Sequence, residues 1–454
     1  MKNILLAVLG FTLSLNVVAQ DKIPVILPLK TRAEVIDRLF EEKVKTVLPG
    51  LMEREEIDMW IVIAREYNED PVIRTMLPAI WHAARRRTIL VMYNPGNGNE
   101  VETMAVARYD VGDVFKKSWD KEKQPDQWAR LAEIIEEKQP QKIGLNYSDY
   151  YGQADGITYS EYKAFEKAIA KKYQSRIVSA EKLAVSWLET RTASEMAIYQ
   201  QIVKIAHEII AEGFSDRVIQ PGVTTTDDVV WWYRERIKEL KLDTWFHPSV
   251  SVQREDREQF EHLRTFDKRP EENVIQPGDL LHVDFGITYL RLNTDTQQHA
   301  YVLRNDEEDA PDYLKKAFAN GNRLQDIFTD NFAVGKTGNE VLAESRAKSI
   351  EEGIKPSIYT HPIGYYGHAA GTTLGMWDSQ DGVPYTGDYP LHANTAYSIE
   401  LNAATYIEEW GKEIRIMLEE DAFFDGETVQ YINGRQKRFL LIPRNSGTTD
   451  ILGY

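Results

Sequence analysis

The chain has 454 residues, a formal net charge of −17, and 43% hydrophobic and 28% charged residues, which describes a globular protein with room for two or three domains. The negative charge argues against nucleic acid or an anionic membrane surface as a partner, because both require a positive face. The absence of cysteine excludes a disulfide framework and thiolate chemistry.

Residues 1–19 have the pattern of a secretory signal peptide. Lys2 precedes an apolar run from Ile4 to Val18, and small residues close the run at Ala19. A membrane anchor is the alternative, but the run is short for a span, and no later stretch is long and apolar enough to cross a bilayer. We therefore predict cleavage near Ala19 or Gln20 and an exported protein, periplasmic or secreted, with no membrane span in the mature chain.

Helix and strand patterns alternate over residues 28–185, which predicts an α/β domain. Apolar residues at helical spacing over 29–52 lead into a buried strand at 59–64. The remaining elements are predicted as strands at 87–93, 101–108 and 142–147 and helices at 127–138 and 160–172.

The pattern changes near residues 183–190, and we place a second domain at 186–454. An amphipathic helix is predicted from Ser194 to Phe214, and a hairpin over 278–302. Helices outside an antiparallel sheet make this an α+β domain. The other elements predicted here are helices at 226–240, 313–327 and 338–352 and a strand at 248–252.

Acidic residues lie inside the predicted hairpin. Asp284 stands between Val283 and Phe285 on the first arm, and Asp295 lies on the second. For a single aspartate, a cap on backbone amides is the usual role. A carboxylate within an apolar strand is costly without a neighbouring positive charge, so the pair is a candidate metal site.

Later motifs offer the same ligand chemistry. His361 and His368 lie in a glycine-rich turn, and Glu400 and the adjacent Glu419 and Glu420 lie in apolar strand patterns. Carboxylate-rich sets with one imidazole suit Mn²⁺, Co²⁺, Fe²⁺ or Zn²⁺ in two-metal sites, with the ions roughly 3.5 to 4 Å apart.

Two further histidines lie within predicted elements. His282 lies on the same strand face as Asp284 and is a minor candidate ligand. His207 is predicted on the polar side of a helix.

The order of these motifs resembles the metal-dependent peptidase family that includes methionine aminopeptidase, Xaa-Pro aminopeptidase and prolidase. The resemblance covers about residues 185–440, and the N-terminal domain is similar to the creatinase-like domain of the proline-specific members. It implies a pita-bread fold for the catalytic domain and two divalent metal ions, with manganese favoured over cobalt, zinc or iron.

The resemblance also implies roles for individual residues. Adjacent strand residues face opposite ways, so only one of Glu419 and Glu420 can be the last ligand. Glu420 is selected because Asp421 follows it as in the family. The implied metal ligands are Asp284, Asp295, His361, Glu400 and Glu420, with Asp295 and Glu420 bridging both ions.

Three residues are implied in catalysis. Glu400 would also act as general base for the attacking water. His262 and His368 would hold the substrate and stabilise the tetrahedral intermediate.

The sequence departs from the family pattern beside two of these ligands. Pro362 follows His361 where the family usually has glycine. Leu418 stands two residues before Glu420 where the family often has arginine, and Arg415 is displaced.

These observations predict an exported exopeptidase that cuts peptides at the Xaa-Pro bond, of aminopeptidase P or prolidase type, and, by analogy, a homodimer. The alternative is a pita-bread binding or scaffold protein that binds metal without peptidase activity. The presence of all five ligand types argues against a metal-free amidinohydrolase such as creatinase. Methionine aminopeptidase is disfavoured by the export signal and the additional domain.

Overall fold

The computed structural model describes residues 23–96, 98–255 and 273–443 and the backbone of 452–453. Within these ranges no helix combines the length and apolarity that a bilayer crossing requires. The predicted signal peptide lies outside the described residues. The chain builds a six-stranded sheet in its N-terminal part and a nine-stranded sheet in its C-terminal part.

The N-terminal domain is the predicted α/β unit. Its sheet has the order β4-β3-β2-β1-β5-β6, with β1 antiparallel to β2 and parallel to β5. The strands are β1 (Met59–Arg65), β2 (Arg87–Tyr93), β3 (Glu102–Ala105), β4 (Lys116–Lys117), β5 (Ile143–Leu145) and β6 (Ile177–Ser179). The helices are α1 (Leu29–Thr46), α2 (Leu48–Arg54), α3 (Pro71–Met76), α4 (Gln127–Lys138), α5 (Tyr159–Ala168), α6 (Lys171–Gln174) and α7 (Glu181–Glu189).

The helix predicted over residues 29–52 is two helices in the structure. The break falls at Val47, and Pro49 occupies the first turn of α2. Proline lacks an N–H and is tolerated in a first turn, whereas in a helix interior it removes a hydrogen bond. The sequence therefore carried the signal for the break.

The C-terminal domain is the predicted α+β unit, with a main sheet of order β12-β14-β15-β11-β8-β7. The helices are α8 (Ala193–Gly213), α9 (Thr226–Glu239), α10 (Asp312–Thr329) and α11 (Gly338–Glu351). The longer strands are β7 (Ser249–Gln253), β8 (Leu280–Phe285), β11 (Thr296–Val302), β12 (Lys355–Ile358), β14 (Thr395–Ile407) and β15 (Lys412–Phe424). The short strands are β9 (Thr288–Tyr289), β10 (Leu292–Asn293), β13 (His361–Pro362), β16 (Val429–Tyr431), β17 (Arg435–Gln436), β18 (Leu440–Ile442) and β19 (Leu452–Gly453).

Three of the C-terminal helices begin with a reciprocal capping box. In α8 the Thr192 hydroxyl accepts from the backbone of Glu195, and the Glu195 carboxylate accepts from the backbone of Thr192. Helices α9 and α11 repeat the arrangement at Thr225 and Thr337. Because each box satisfies backbone donors that a helix start leaves free, these starts are defined locally by sequence.

A buried polar cluster joins the two domains. Lys43 of α1 donates to the Thr190 carbonyl at 2.6 Å and lies 3.7 Å from the Glu195 carboxylate. Glu195 also accepts from the Tyr365 hydroxyl at 2.7 Å, so the cluster reaches the segment that follows His361. Helix α7 runs through the predicted boundary at 185/186, and its Trp187 packs in the N-terminal core.

Candidate metal centre

A row of polar side chains crosses the central sheet of the C-terminal domain. Asp284 on β8 is paired with Gln297 on β11, Gln297 with Glu419 on β15, and Glu419 with Glu400 on β14. Paired residues point to the same face of a sheet, so the register alone brings three carboxylates together around one amide. Two like charges directly opposite each other are destabilising, which calls for a cation between them.

Asp295 and His361 complete the cluster. The His361 Nε2 atom lies 3.9 Å from Asp295 Oδ2 and 3.8 Å from Glu419 Oε1. The ligand atoms of Asp284, Asp295 and Glu419 lie within 4.8 Å of one another, as do those of His361, Glu400 and Glu419. Four of the five predicted ligands are therefore together.

The fifth predicted ligand is replaced by its neighbour. Glu419 lies in the cluster, whereas Glu420 lies on the opposite face of β15, where its Oε2 is 2.6 Å from His207 Nε2. The prediction relied on Asp421 following Glu420, but the pairing of Glu419 with Gln297 decides which residue faces the cluster. The candidate ligand set is thus Asp284, Asp295, His361, Glu400 and Glu419.

Behind the sheet, Glu420 belongs to a hydrogen-bonded network. Its Oε1 accepts from Gln298 Nε2 at 2.9 Å and from the Gln436 backbone at 3.0 Å. Asn433 Nδ2 lies 2.9 Å from His207 Nδ1. His207 is only 4% exposed, so the prediction that it occupies the polar side of a helix was wrong, because that side of α8 packs on the sheet.

The five-residue cluster fits divalent metal ions. Among the described residues, Asp284 Oδ1, Asp295 Oδ1 and His361 Nε2 are buried without a hydrogen-bond partner. Buried polar atoms are rarely left unpaired, and carboxylate oxygens with an imidazole nitrogen are suitable ligands for such ions. The unpartnered atoms are therefore explained if they coordinate metal.

The cluster is electrostatically costly without a cation. Burial raises the pKa of Asp284 to about 7 and that of Glu400 to about 8. Burial, with repulsion from neighbouring carboxylates, also raises the pKa of Asp295 and of Glu419 well above their ordinary values. Bound cations would favour the ionised forms and offset this cost.

The carbonyl of Pro362, one of the departures from the family pattern, orients the candidate metal-binding histidine. His361 Nδ1 lies 3.0 Å from the Pro362 carbonyl oxygen and donates a hydrogen bond to it. The Nε2 lone pair is then directed to the carboxylates, as in sites where a carbonyl fixes the tautomer of a ligating histidine. Burial lowers the His361 pKa to about 3, which keeps the ring neutral.

The other departure lies away from the cluster. Leu418 is fully buried and packs in the apolar core beneath α10. Arg415 donates to Asn402 Oδ1 at 3.1 Å. Because Leu418 faces the opposite side of β15 from Glu419, it leaves the ligand set unchanged.

His368 lies at the edge of the cluster. Its ring centroid is 4.7 Å from that of His361 and 5.0 Å from that of Trp245, both in edge-on geometry. It is partly exposed to solvent, unlike the buried His361. The position suits a group that contacts substrate. His262, the other predicted catalytic histidine, lies outside the described residues.

Gln297 is a site residue that the sequence reading missed. Its Nε2 donates to Glu400 Oε1 at 2.8 Å and to Glu419 Oε2 at 2.7 Å. Its Oε1 lies 2.8 Å from His282 Nε2. One side chain therefore orients two candidate ligands, and His282, the minor candidate ligand, holds the Gln297 amide from the same face of the sheet. The signal was available, since Gln297 lies two residues after Asp295 on the same arm of the predicted hairpin.

The N-terminal domain holds the segment that carries both histidines. Gln153 Nε2 donates to the His368 carbonyl at 2.8 Å, and the Tyr366 hydroxyl donates to the Pro71 carbonyl at 2.7 Å. Tyr151 donates to the Gly371 carbonyl at 3.1 Å. These contacts join residues more than 200 positions apart, and no local sequence signal reveals them.

Comparison with known proteins agrees with this geometry. Residues 197–421 match the model of metallopeptidase family M24, a range that includes all five candidate ligands. No curated protein sequence matches the chain.

Solved structures share the architecture over most of the chain. An X-Pro aminopeptidase from Thermotoga maritima matches with a TM-score of 0.57 at 15% identity, covering 86% of this chain and 99% of its own. A Xaa-Pro dipeptidase from Bacillus anthracis matches with a TM-score of 0.53 at 19% identity, covering 91% of this chain and 100% of its own. The N-terminal domain of the FACT complex subunit SPT16 from Eremothecium gossypii matches with a TM-score of 0.56 at 13% identity, covering 92% of this chain and 100% of its own.

The predicted fold class is confirmed by these matches. An α/β domain precedes an α+β domain of the pita-bread type, and the two together extend over nearly the full length of the similar structures. The family match adds that the C-terminal domain is a hydrolase of the metallopeptidase class. Through residues 197–421, the chain belongs to metallopeptidase family M24.

Proposed function

We propose that this metallopeptidase is a two-metal exopeptidase that hydrolyses the bond between an N-terminal residue and proline. The observation that carries the proposal is the convergence of four carboxylates and one imidazole, with unpartnered oxygen and nitrogen atoms facing one another. The specificity is proposed from the similar structures named as X-Pro aminopeptidase and Xaa-Pro dipeptidase. Peptides with proline lack an N–H at the scissile bond, so a dedicated enzyme is required to cut them.

The five candidate ligands divide into two groups around two proposed metal positions. Asp284 would hold one ion, and His361 with Glu400 the other. Asp295 and Glu419 lie between these groups and would contact both. Divalent ions in such a site supply Lewis acidity that activates water and polarises the peptide carbonyl. Manganese is our preferred ion because carboxylate oxygen dominates the donor set.

Glu400 is the proposed general base. Its Oε1 accepts from Gln297 Nε2 at 2.8 Å, which holds the carboxylate in one orientation and leaves Oε2 to accept a proton from the attacking water. Desolvation of its carboxyl group raises its pKa, which strengthens it as a base.

His368 is the proposed donor to the substrate carbonyl. It lies beside the ligand His361 and packs edge-on against Trp245. A ring N–H at the edge of a buried metal site stabilises the oxyanion of the tetrahedral intermediate. His262 is proposed for the same task on the strength of the resemblance alone.

A peptide panel tests the proposed activity. Purified protein is incubated with a Xaa-Pro dipeptide, a Xaa-Pro tripeptide and a Xaa-Ala control, each with Mn²⁺, Co²⁺ or Zn²⁺ and with chelator. We expect metal-dependent cleavage of the proline peptides only. Preference for the dipeptide would assign prolidase, and preference for the tripeptide would assign aminopeptidase P.

A binding or scaffold protein with the same fold is the second candidate function. It is favoured by the similarity to the SPT16 domain, whose name includes no peptidase activity. Such a protein would bind Mn²⁺ and gain thermal stability without cleaving any peptide of the panel. Metal binding measured by calorimetry, with no turnover, would therefore select this candidate over the first.

Export and dimer formation are further proposals. The basic and apolar pattern of residues 1–19 supports export, and cell fractionation of the full chain against a chain lacking those residues tests it. Dimerisation is proposed from the family resemblance, and light scattering coupled to size-exclusion chromatography tests it.

A further inference from the structure

A basic pocket lies on the N-terminal domain, outside the metal centre. Its volume is about 390 Å³, within the range of small-molecule sites. Strand ends and loops line it with four arginines, Arg65, Arg86, Arg87 and Arg108, together with Glu66 and the Tyr109 ring. We call this the arginine pocket.

The basic residues of this region are all arginines. Between Lys45 and Lys116 the sequence has seven arginines and no lysine, although the chain as a whole is strongly acidic. Arginine presents five donors in a planar fork that matches carboxylate and phosphate groups, whereas lysine is a flexible point charge. The composition therefore favours oxyanion recognition over general solubility. The seven are Arg54, Arg65, Arg74, Arg85, Arg86, Arg87 and Arg108.

Two of the pocket arginines are preorganised by a buried acid. Arg65 and Arg87 are directly opposite in the β1–β2 pair, and both contact Glu161, which is only 2% exposed. Arg87 makes the closer contact, with Nε 2.6 Å from Oε2, and its guanidinium also lies 4.8 Å from the centroid of the Trp128 ring. Preorganisation lowers the entropic cost of binding a ligand.

The guanidinium groups of the other two pocket arginines have no carboxylate partner among the described residues, although the Arg86 backbone donates to Glu66 at 3.3 Å. Within residues 23–96, 98–255 and 273–443, Arg86 and Arg108 make no ion pair, and both are solvent-exposed. Arg86, the residue immediately before β2, also has a left-handed backbone, with φ of 55°. Such strain in a residue other than glycine often marks a functional position.

The positive charge of the arginine pocket is only partly compensated. Four arginines carry four positive charges, while Glu66 and Glu161 supply two negative charges, which leaves an excess of two. Like charges held at adjacent strand positions repel one another. A bound anion of two or more charges would offset that repulsion.

We propose that the arginine pocket binds a small multivalent oxyanion, with phosphoryl or paired carboxylate groups received by Arg86 and Arg108 against the Arg65–Arg87–Glu161 platform. The ligand is a small molecule, since the pocket is a concave site of limited volume. The inference is independent of the proposed peptidase specificity, because none of these residues belongs to the metal centre.

Isothermal titration of the metal-loaded protein tests the proposal. Inorganic phosphate and succinate serve as probes at low ionic strength, since salt screens exposed charges. We expect saturable binding of at least one probe, with an affinity that falls at least tenfold in R86A/R108A. Tighter binding of phosphate would assign a phosphoryl ligand, and tighter binding of succinate would assign a dicarboxylate.

Matched variants separate recognition from bulk charge. R86K/R108K keeps the charge and loses the planar forks, so its affinity should lie between those of the wild type and the alanine variant. R38A removes an exposed arginine of α1 outside the pocket and should change affinity less than twofold. No saturable binding of either probe, or undiminished affinity in R86A/R108A, would overturn the proposal. Melting temperatures confirm that each variant is folded.

Discussion

The two faces of β15 place adjacent glutamates in opposite environments. On one face, Glu419 joins a cluster in which several buried acceptor atoms lack a protein donor. On the other, Glu420 accepts from Gln298, from the Gln436 backbone and from His207. Both carboxylates are 1% exposed, so burial alone does not distinguish a ligand from a structural acid. What distinguishes them is the set of groups around each carboxylate. Protein donors surround Glu420, whereas Glu419 accepts from Gln297 and Ser398 and also faces other carboxylates.

Replacing each glutamate in turn tests this comparison most strongly. E419Q removes a proposed bridging ligand, so we expect metal-dependent kcat/KM to fall by about 10³-fold or more. E420Q should keep kcat/KM within about tenfold of the wild type, because it lies behind the sheet. Steady-state kinetics on a proline peptide at saturating metal measures both.

The same pair of variants should shift apo stability in opposite directions. E420Q places an amide donor against His207 Nε2 and should lower the free energy of unfolding by about 2 kcal/mol. E419Q removes one of four crowded carboxylates and should raise it in chelated protein. Urea unfolding in chelator is the measurement, and equal losses in both variants would contradict the distinction between the faces.

The pH dependence of stability should differ between chelated and metal-loaded protein. Burial raises the pKa of Asp284 to about 7 and of Glu400 to about 8. A carboxyl whose pKa is raised on folding stabilises fully below its unfolded pKa, near 4, and loses that contribution as pH rises through its folded value. The free energy of unfolding of the chelated protein should therefore fall by several kcal/mol between pH 4 and pH 8.

With bound metal, the free energy of unfolding should instead rise with pH. Metal binding requires the ionised carboxylates and strengthens as they deprotonate. The measurement is urea unfolding at several pH values in chelator and in Mn²⁺. Parallel profiles in the two conditions would show that the cluster does not bind metal.

Gln297 and Gln298, adjacent on β11, contact the glutamates on the two faces of β15 and allow the same comparison with neutral side chains. Q297A removes the amide that orients Glu400 and Glu419, and we expect metal affinity to fall about 10- to 100-fold. Q298A removes a donor to Glu420 and should leave metal affinity unchanged while lowering stability by about 1 kcal/mol. Competition with a chelating dye measures affinity, and equal affinities in the two variants would argue against a positioning role for Gln297.

The smallest expected effect concerns the contact between domains. Q153A removes the hydrogen bond to the His368 carbonyl and should lower kcat/KM by less than about tenfold, because one neutral hydrogen bond is lost. Q174A is the control, since Gln174 donates to the Glu166 carbonyl within the N-terminal domain. A kcat/KM in Q153A equal to that of Q174A would show that the N-terminal domain does not influence the histidine segment.

The sequence by itself determined the architecture and most of the site. Strand and helix periodicities predicted both domains, and the buried acids in apolar strands predicted Asp284, Asp295 and Glu400. These features are local, since a charge within an apolar run and a capping box each act over a few residues. His361 followed from its glycine-rich turn together with the family resemblance.

Only the tertiary structure decided which of two adjacent glutamates serves the site. One residue of register exchanges the faces of a strand, and the register of β15 is determined by its pairing with β11 and β14. The contacts of Gln153 and the arginine pocket likewise depend on segments that are distant in sequence or on strand ends that meet only in the folded sheet. Non-local pairing sets these positions, and no short window of sequence contains it.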